Sequence, residues 1–426
     1  MAGDLLTTLS NFHQTHYRDV ANSDVPTASD AANMIFTKAK RISLGGTSLA
    51  TTWEHETAEG VGSNVIAEAG DYPAAGFDSA INPTLTAPTM AFSVRWSYGA
   101  LNAGKMTRYD KKGLITKKTK ALASQAKKTI ARYLMWNGDD ILGTVGAASG
   151  TTGGYITIAS GGAPIHFFEP GQVLTIRDAA SGGTEQLTAA STGGGRITGI
   201  DPDLGRIYLS DVTGAAAADH IAWSGHYDKT VPNGIRTLVD SADTVMGITR
   251  TAAAGAVWRC IEIDRASASL TSSDWDELRD RIMDQAHLRV GNYTTTVLGN
   301  RKMRRWLIDV AKGQVRFASL AGIGIGSEKV NLQGTNGEKV MLEDEYLLDG
   351  ELYALTWDKF VLGTPEGTDD NGMQPVMNGS SALFQANAAS GDGHSDSQLQ
   401  YLRWCGNFGI DEARCMGKMV GLAAPG

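Results

Sequence analysis

Apolar positions recur along this chain with two periods, and the period changes at glycine-rich seams. Ile115, Leu122, Ala126, Ile130 and Tyr133/Leu134 follow spacings of seven, four, four and three to four. That is one stripe of a 3.6-residue helix, so the pattern predicts a long helix over 107–136, stopped by Asn137-Gly138. Upstream, 49–54 and 90–96 alternate with period two on either side of a middle dominated by Gly, Ala, Asn, Asp and Pro, 60–88. This predicts a long two-stranded excursion over 46–104. A ribbon of that length cannot bury both faces within its own chain and needs another surface to lie on.

Between 143 and 228 short β-like runs recur: Tyr155-Ile156-Thr157-Ile158, Val173-Leu174-Thr175-Ile176, Arg196-Ile197-Thr198, Arg206-Ile207-Tyr208-Leu209 and His220-Ile221-Ala222-Trp223. Turns containing Gly and Asp separate them, which predicts a small barrel or sandwich. Its ends, 143–154 and 225–233, read as linkers, so the block reads as an inserted domain. Residues 229–363 read α/β. A strand is expected over 258–263, and Thr271-Ser272-Ser273-Asp274 is expected to cap a helix running to about Leu288. A strand over 294–298 precedes a helix over 301–311 with Met303, Leu307, Val310 and Ala311 inward. Strand-like runs follow at Val340-Met341-Leu342 and Leu352-Tyr353-Ala354-Leu355.

The two ends are less regular. Residues 1–45 hold short helix-like stretches at Asp4-Leu5-Leu6 and 31–40, with too few large apolar residues to close a core, and read as an arm. Residues 364–398 are rich in Gly, Asn, Asp and Ser. The last element, 399–422, reads as a hairpin around Gly406-Asn407-Phe408-Gly409.

A length of 426 residues suggests two to three domains. Glycine, at 51 residues, is far above ordinary usage but has no Gly-x-y period, which excludes collagen. Apolar residues run through the whole chain, which excludes full-length disorder. The net charge is −8, so the chain as a whole is not a basic nucleic-acid binder. The distribution says more than the total. No lysine occurs between Lys40 and Lys105 or between Lys128 and Lys229, whereas the helix 107–136 carries nine basic residues against Asp110. That segment stands at +8 and the remainder of the chain at −16. Two readings stay open for it: a solvated amphipathic helix, or a helix facing a polyanion whose condensed counterions its lysines displace. The second makes Lys111, Lys112, Lys117, Lys118, Lys120, Lys127, Lys128 and Arg132 candidate polyanion-facing residues.

Candidate chemistry is sparse. Neither GxSxG nor GxxxxGK[ST] occurs. Gly322-Ile323-Gly324-Ile325-Gly326 follows no clear strand and reads as a turn. His13 with His16, and His394 between Asp392 and Asp396, read as surface or loop residues, and Glu343-Asp344-Glu345 as a solvated acidic face. Cys260, Cys405 and Cys415 form no CxxC and indicate neither a disulfide framework nor a zinc site, which fits a reducing compartment. The N-terminus MAGDLLTTLS has no basic n-region or apolar h-region and reads as no signal peptide. The sequons Asn292-Tyr293-Thr294 and Asn378-Gly379-Ser380 then read as coincidence. No apolar run reaches about 18 residues, so no membrane partner is expected. No catalytic, cofactor or metal residues are assigned, and the expectation is that the chain is not an enzyme. An arm, a ribbon that cannot stand alone, a basic helix, an α/β body and a grafted β-domain together suggest a self-assembling structural protein.

The order of these parts resembles the tailed-bacteriophage major capsid proteins of the Hong Kong 97-type fold. The resemblance rests on 53–98, with Glu68-Ala69-Gly70-Asp71-Tyr72-Pro73, as that family's extended loop, and on 107–136 as its spine helix. It rests further on Pro232-Asn233-Gly234-Ile235 and 244–250 as the start of the axial domain, and on Thr296-Val297-Leu298-Gly299-Asn300 with the helix from Arg301. The closing strands are matched by 402–422, with Gly409-Ile410-Asp411-Glu412-Ala413-Arg414. It implies an α+β chain divided into an N-terminal arm (1–45), extended loop (46–105), spine helix of the peripheral domain (106–142), inserted β-domain (143–228), axial α/β domain (229–363) and return strands with the C-terminus (364–426).

The resemblance also implies a function. Copies would form the pentamers and hexamers of an icosahedral head in the virion, assembled in the host cytoplasm around double-stranded DNA held by non-specific contact. Portal and scaffolding proteins are implied partners, and a decoration protein is compatible. No long helical scaffolding segment precedes the arm, which implies a separate scaffold or a trimmed chain. Some members of the family link subunits through a lysine–asparagine isopeptide bond that starts on the extended loop; here that stretch lacks the lysine. Two alternatives remain: a nanocompartment (encapsulin-like) shell of the same fold, and a β-rich carbohydrate-binding or carbohydrate-cleaving protein.

Overall fold

The computed structural model describes residues 29–45, 49–58, 79–97, 108–150, 153–187, 195–252, 255–271, 273–286, 296–314, 331–334, 337–365, 373–375, 384–386 and 397–423. Asp4-Leu5-Leu6, His13, His16, the middle of the ribbon, both sequons, the glycine run 322–326 and His394 lie outside them. The architecture is mixed α+β, with several sheets and few helices.

Helix α1, Asp30–Lys38, begins where Ser29 Oγ accepts the Ala32 amide at 3.1 Å, with Asp30 in the first turn. Ala31, Ala32, Ile35 and Phe36 are buried, and Phe36 meets Phe408 edge-on at 5.8 Å. This part of the expected arm is therefore a core element. The chain leaves it as strand Lys40–Ser43, parallel to Phe360–Thr364, which pairs antiparallel with Asn407–Ile410.

The ribbon differs from its sequence reading. Ala50–Thr52 pairs with Thr84–Thr86 and His55–Ala58 with Ser79–Ile81. The second predicted flank is not the partner of the first. Thr89–Ser97 instead pairs along its whole length with Ser397–Cys405, whose other edge takes Met373–Pro375 and Phe384–Ala386. Alternation marks both stretches as strands but is blind to the partner.

The expected terminal hairpin is also corrected. Ser397–Cys405, Asn407–Ile410 and Gly417–Ala423 follow one another in sequence yet enter three different sheets. All four residues of the middle strand are buried, and Trp404 stacks on Phe408 at 5.8 Å. Gly406 alone separates the first two strands, too few residues for the two-residue turn that a tight hairpin uses.

A six-stranded mixed sheet runs in the order Ile261–Ser269, Gly417–Ala423, Leu352–Leu355, Thr296–Gly299, Gly337–Glu343, Asn331–Gly334. The strand expected over 258–263 begins later, at Ile261, because 256–258 forms a helical turn that buries Trp258. Alternation along Leu352–Leu355 divides two cores. Leu352 and Ala354 face helices α3, Ser273–Ala286, and α4, Arg301–Gln314, while Tyr353 and Leu355 face the main core. Trp275, Leu278 and Ile282 of α3 and Met303 and Leu307 of α4 fill the first of these. The Asp274 carboxylate accepts the Thr271 amide at 2.5 Å, tying the expected cap region to the helix start.

The long helix, α2, spans Arg108–Met135. Leu122, Ala126, Ile130, Tyr133 and Leu134 are buried as their spacing requires. A six-stranded sheet follows, in the order 197–201, 206–209, 155–158, 141–149, 220–223, 174–177. It closes on itself. Val173 bridges Arg196, Leu174 N donates to Gly195 O at 2.9 Å, and Ile197 N donates to Gln172 O at 2.8 Å. The expected linker 143–154 is corrected: Ile141–Ser149 is a central strand of this barrel. Gly143 is there for close approach, with φ +137° and only 2.8 Å between a would-be Cβ and Gly162 Cα.

Candidate nucleic-acid and assembly interface

Helix α2 carries the concentration of positive charge, and its described basic residues are not used alike. Lys120 is exposed and Lys127 half-buried, whereas the side chains of Lys111, Lys112, Lys117 and Lys118 lie outside the described residues. Toward the C-terminus the basic residues are drawn into the fold. Arg132 Nη2 donates to Glu169 Oε1 at 2.6 Å, and Lys128 Nζ reaches the same oxygen at 2.8 Å. The Arg132 side chain is fully buried. Its guanidinium lies 5.7 Å from the Tyr346 ring and 6.0 Å from Trp223. Arg132 is thus corrected from a surface group to an internal one, since a buried guanidinium held by a carboxylate and two rings presents nothing to a polyanion. Burial works against ionised Glu169, but the Lys128 hydrogen bond and the Arg132 charge outweigh it and hold the carboxyl below its usual range.

These contacts seat the barrel on α2. Tyr133 Oη and His226 Nδ1 lie 2.6 Å apart, and Tyr133 meets Trp223 edge-on at 5.1 Å. Trp136 Nε1 donates to Ile141 O at 2.9 Å, and its ring packs on Phe167 at 5.6 Å. Phe167 in turn meets Tyr346 at 5.7 Å. Burial lowers the His226 pKa, favouring the neutral ring, and raises that of the Tyr133 hydroxyl well above its usual value. Asp140, at the root of the first barrel strand, is raised to about 6 by burial and by sharing a hydrogen bond with Asp139.

A second charged network joins 235–243 to the six-stranded sheet. Lys418, almost fully buried, donates to Asp240 at 2.5 Å and to Arg236 O at 3.2 Å, and lies 3.6 Å from Glu262. Arg236 pairs with Glu351 at 3.2 Å, and Tyr353 donates to Glu351 at 2.7 Å. Arg250 is fully buried, donates to Asp240 O at 2.5 Å and lies 5.0 Å from the Trp258 ring. No motif announced Glu169, Lys418 or Arg250. Each is a single charge in an apolar stretch, and that isolation was the one available signal.

The acidic run 343–345 is not a solvated face. Glu343 pairs with Arg304 at 2.6 Å. Asp344 is buried, accepts the Tyr346 amide at 3.0 Å, and is pushed up to about 6 by that burial. The three cysteines are free and buried. Among the described residues no three His, Cys, Asp or Glu side chains gather as a metal site would need, and no helix is long and apolar enough to cross a membrane.

No family model and no curated protein matches the chain. Solved structures of phage capsids are similar to it over nine-tenths of their length, at low identity. "Capsid of native GTA particle computed with C5 symmetry" shares 10% identity at a TM-score of 0.48, covering 93% of this chain and 91% of that one. "Cyanophage A-1(L) capsid asymmetric unit" shares 12% at 0.46, covering 92% and 93%. "Satellite phage P4 procapsid including size determination (Sid) protein" shares 8% at 0.38, covering 94% and 98%.

Proposed function

We propose that this chain is a major capsid protein of a tailed bacteriophage, a structural subunit of the Hong Kong 97 type. The ribbon carries the reading. Its inner rung rests on the body through Leu85, which is fully buried against Gly363 and Gly409. Its outer rung, 55–58 with 79–81, pairs only with itself among the described residues. An isolated two-stranded ribbon is marginal in water, so a neighbouring copy supplies the missing surface.

In this reading 1–45 is the N-terminal arm, 46–105 is the extended loop, and 106–142 is the spine helix of the peripheral domain. The barrel, 143–228, is an inserted domain. The axial α/β domain is 229–363, whose six-stranded sheet also takes strand Gly417–Ala423, and 364–426 otherwise returns to the periphery. Copies form the pentamers and hexamers of an icosahedral shell around double-stranded DNA, without enzymatic activity. Assembly takes place in the host cytoplasm with portal and scaffolding proteins, and a decoration protein is compatible with the surface. Lys111, Lys112, Lys117, Lys118, Lys120 and Lys127 face the DNA; Lys128 and Arg132 hold the barrel.

The test is negative-stain microscopy and sedimentation of the purified chain, expressed with and without a scaffold. Closed shells of uniform size that retain nucleic acid are expected. A protein that stays monomeric overturns the reading, and shells filled with a cargo enzyme in place of nucleic acid favour the nanocompartment.

A further inference from the structure

Helices α3 and α4 lie on the same face of the six-stranded sheet and share its core, but at opposite ends. Helix α3 packs on 261–269, which is one edge strand, and on its neighbour 417–423. Helix α4 packs on 337–343, next to the other edge. The strands beneath them, 261–269 and 337–343, stand four steps apart in the sheet, about 19 Å at ~4.8 Å per step.

Their charges are opposite. Helix α3 holds five acids against two arginines, a net of −3, and α4 holds five basic residues against one acid, a net of +4. Asp276, Asp280 and Asp284 recur every fourth residue on α3 and are all exposed. Arg279 lies 3.3 Å from Asp276 and 3.2 Å from Asp280, while Asp284 has no partner among the described residues. On α4, Arg301 and Arg305 are also four apart, exposed and without a partner among the described residues. Lys302 and Arg304 are engaged by Asp349 and Glu343. Both stripes repeat at about 6 Å, one helical turn, so a pair of carboxylates matches a pair of guanidinium groups in spacing as well as sign.

We infer that these two helices form a head-to-tail contact between copies of this chain: the Asp280/Asp284 stripe of one subunit pairs with Arg301/Arg305 of the next. The two stripes stand on different helices over different strands of one sheet, and among the described residues no ion pair joins them within a subunit. A surface patch whose complement is a different patch of the same chain makes a heterologous contact, and such contacts close into rings when the rotation allows. Electrostatic complementarity of this kind sets register and excludes wrong partners. The inference rests on the shell reading and names the surface through which neighbours in a ring recognise each other.

The experiment is a charge swap in the full-length chain. One variant carries Asp280→Lys with Asp284→Lys, a second Arg301→Glu with Arg305→Glu, and a third all four. Each reversal alone places like charges across the contact and is expected to lower the sedimentable assembled fraction by at least about tenfold. The four-fold variant restores opposite charges and is expected to recover assembly to near the wild-type level. Circular dichroism melts of the unassembled subunits report folding. The milder Asp280→Asn and Arg301→Gln variants introduce no repulsion and should flatten the salt dependence of assembly even if a reversal fails to fold. Reversals that assemble like wild type, or a folded four-fold variant that does not assemble, overturn the inference while leaving the shell reading intact. A wild-type chain that never forms particles overturns the shell reading instead.

Discussion

Arg132 and Glu169, 37 residues apart in sequence, meet at 2.6 Å where the barrel stands on the long helix. The guanidinium is wholly buried and the carboxylate about a third exposed, at 31%. The pair therefore joins two structural units and withdraws one cation from the helix's basic face.

Removing the acid should cost more than removing both charges. Glu169→Ala leaves Arg132 buried without a counter-charge and is expected to destabilise by about 3 kcal/mol. Combining Arg132→Met with Glu169→Ala should recover much of that loss. Urea unfolding of unassembled subunits measures both, and equal losses in the single and double variants would remove the ion pair from the account.

Asp344 makes stability depend on pH in an unusual direction. Its native pKa is raised by burial from an ordinary 3.8 to about 6. Between those values the native state keeps a proton that the unfolded chain has released. Unfolding free energy therefore falls as pH rises through this window and levels off above it. Asp344→Asn removes that fall and should stabilise by on the order of 2 kcal/mol at pH 8, with little gain near pH 4. Part of the wild-type decline will persist in the variant, because Asp140 is also raised to about 6. Glu169 acts oppositely: its stabilisation is present above its ordinary value of 4.5 and is lost as pH falls through its lowered one. Thermal melts from about pH 2 to 8 separate the two, Glu169 acting at the acid end and Asp344 between about 4 and 6.

Gly234→Ala should be among the most damaging single-methyl changes. A Cβ there would overlap Trp136 O and lie 2.6 Å from Tyr133 O, backbone atoms at the C-terminal end of α2 and in the residue that follows it. Neither oxygen can move without unwinding that end of the helix, so a loss of about 3 kcal/mol is expected. A Tm near wild type would show that the 231–238 segment relaxes away from the helix.

A barrel fragment of residues 150–226 should not unfold cooperatively, because it lacks 141–149, which lies between 155–158 and 220–223 in the sheet. Residues 139–229 keep all six strands and should give a cooperative melt of low Tm, since Phe167 and Trp223 lose their partners Trp136, Tyr133 and Tyr346. Calorimetry of the two fragments decides the point.

Particles should not be covalently cross-linked. The 46–104 stretch has no lysine, and the only cysteines are buried. Boiled particles are expected to run as one band near 45.1 kDa. A ladder of multimers surviving reductant would refute this.

What the sequence determined by itself was local. The stripe from Leu122 to Leu134 made α2, Met303 and Leu307 set the inward face of α4, and the runs around 155–158, 206–209 and 220–223 are strands because side-chain period reports secondary structure directly. The charge of α2 was equally legible, being a sum over residues.

Only the tertiary structure decided who pairs with whom. Strand 89–97 found 397–405, more than 300 residues on, and the last three strands parted into three sheets. Alternation marks one face of a strand but holds no record of its neighbour. The glycines at 143 and 146 read as a linker and proved to be places where strands approach closely. Which cations are free and which are spent was also invisible. Lys120 and Arg132 share a helix and a charge, and only the fold, by bringing Glu169, Trp223 and Tyr346 to one of them, made the first a surface group and the second part of the core.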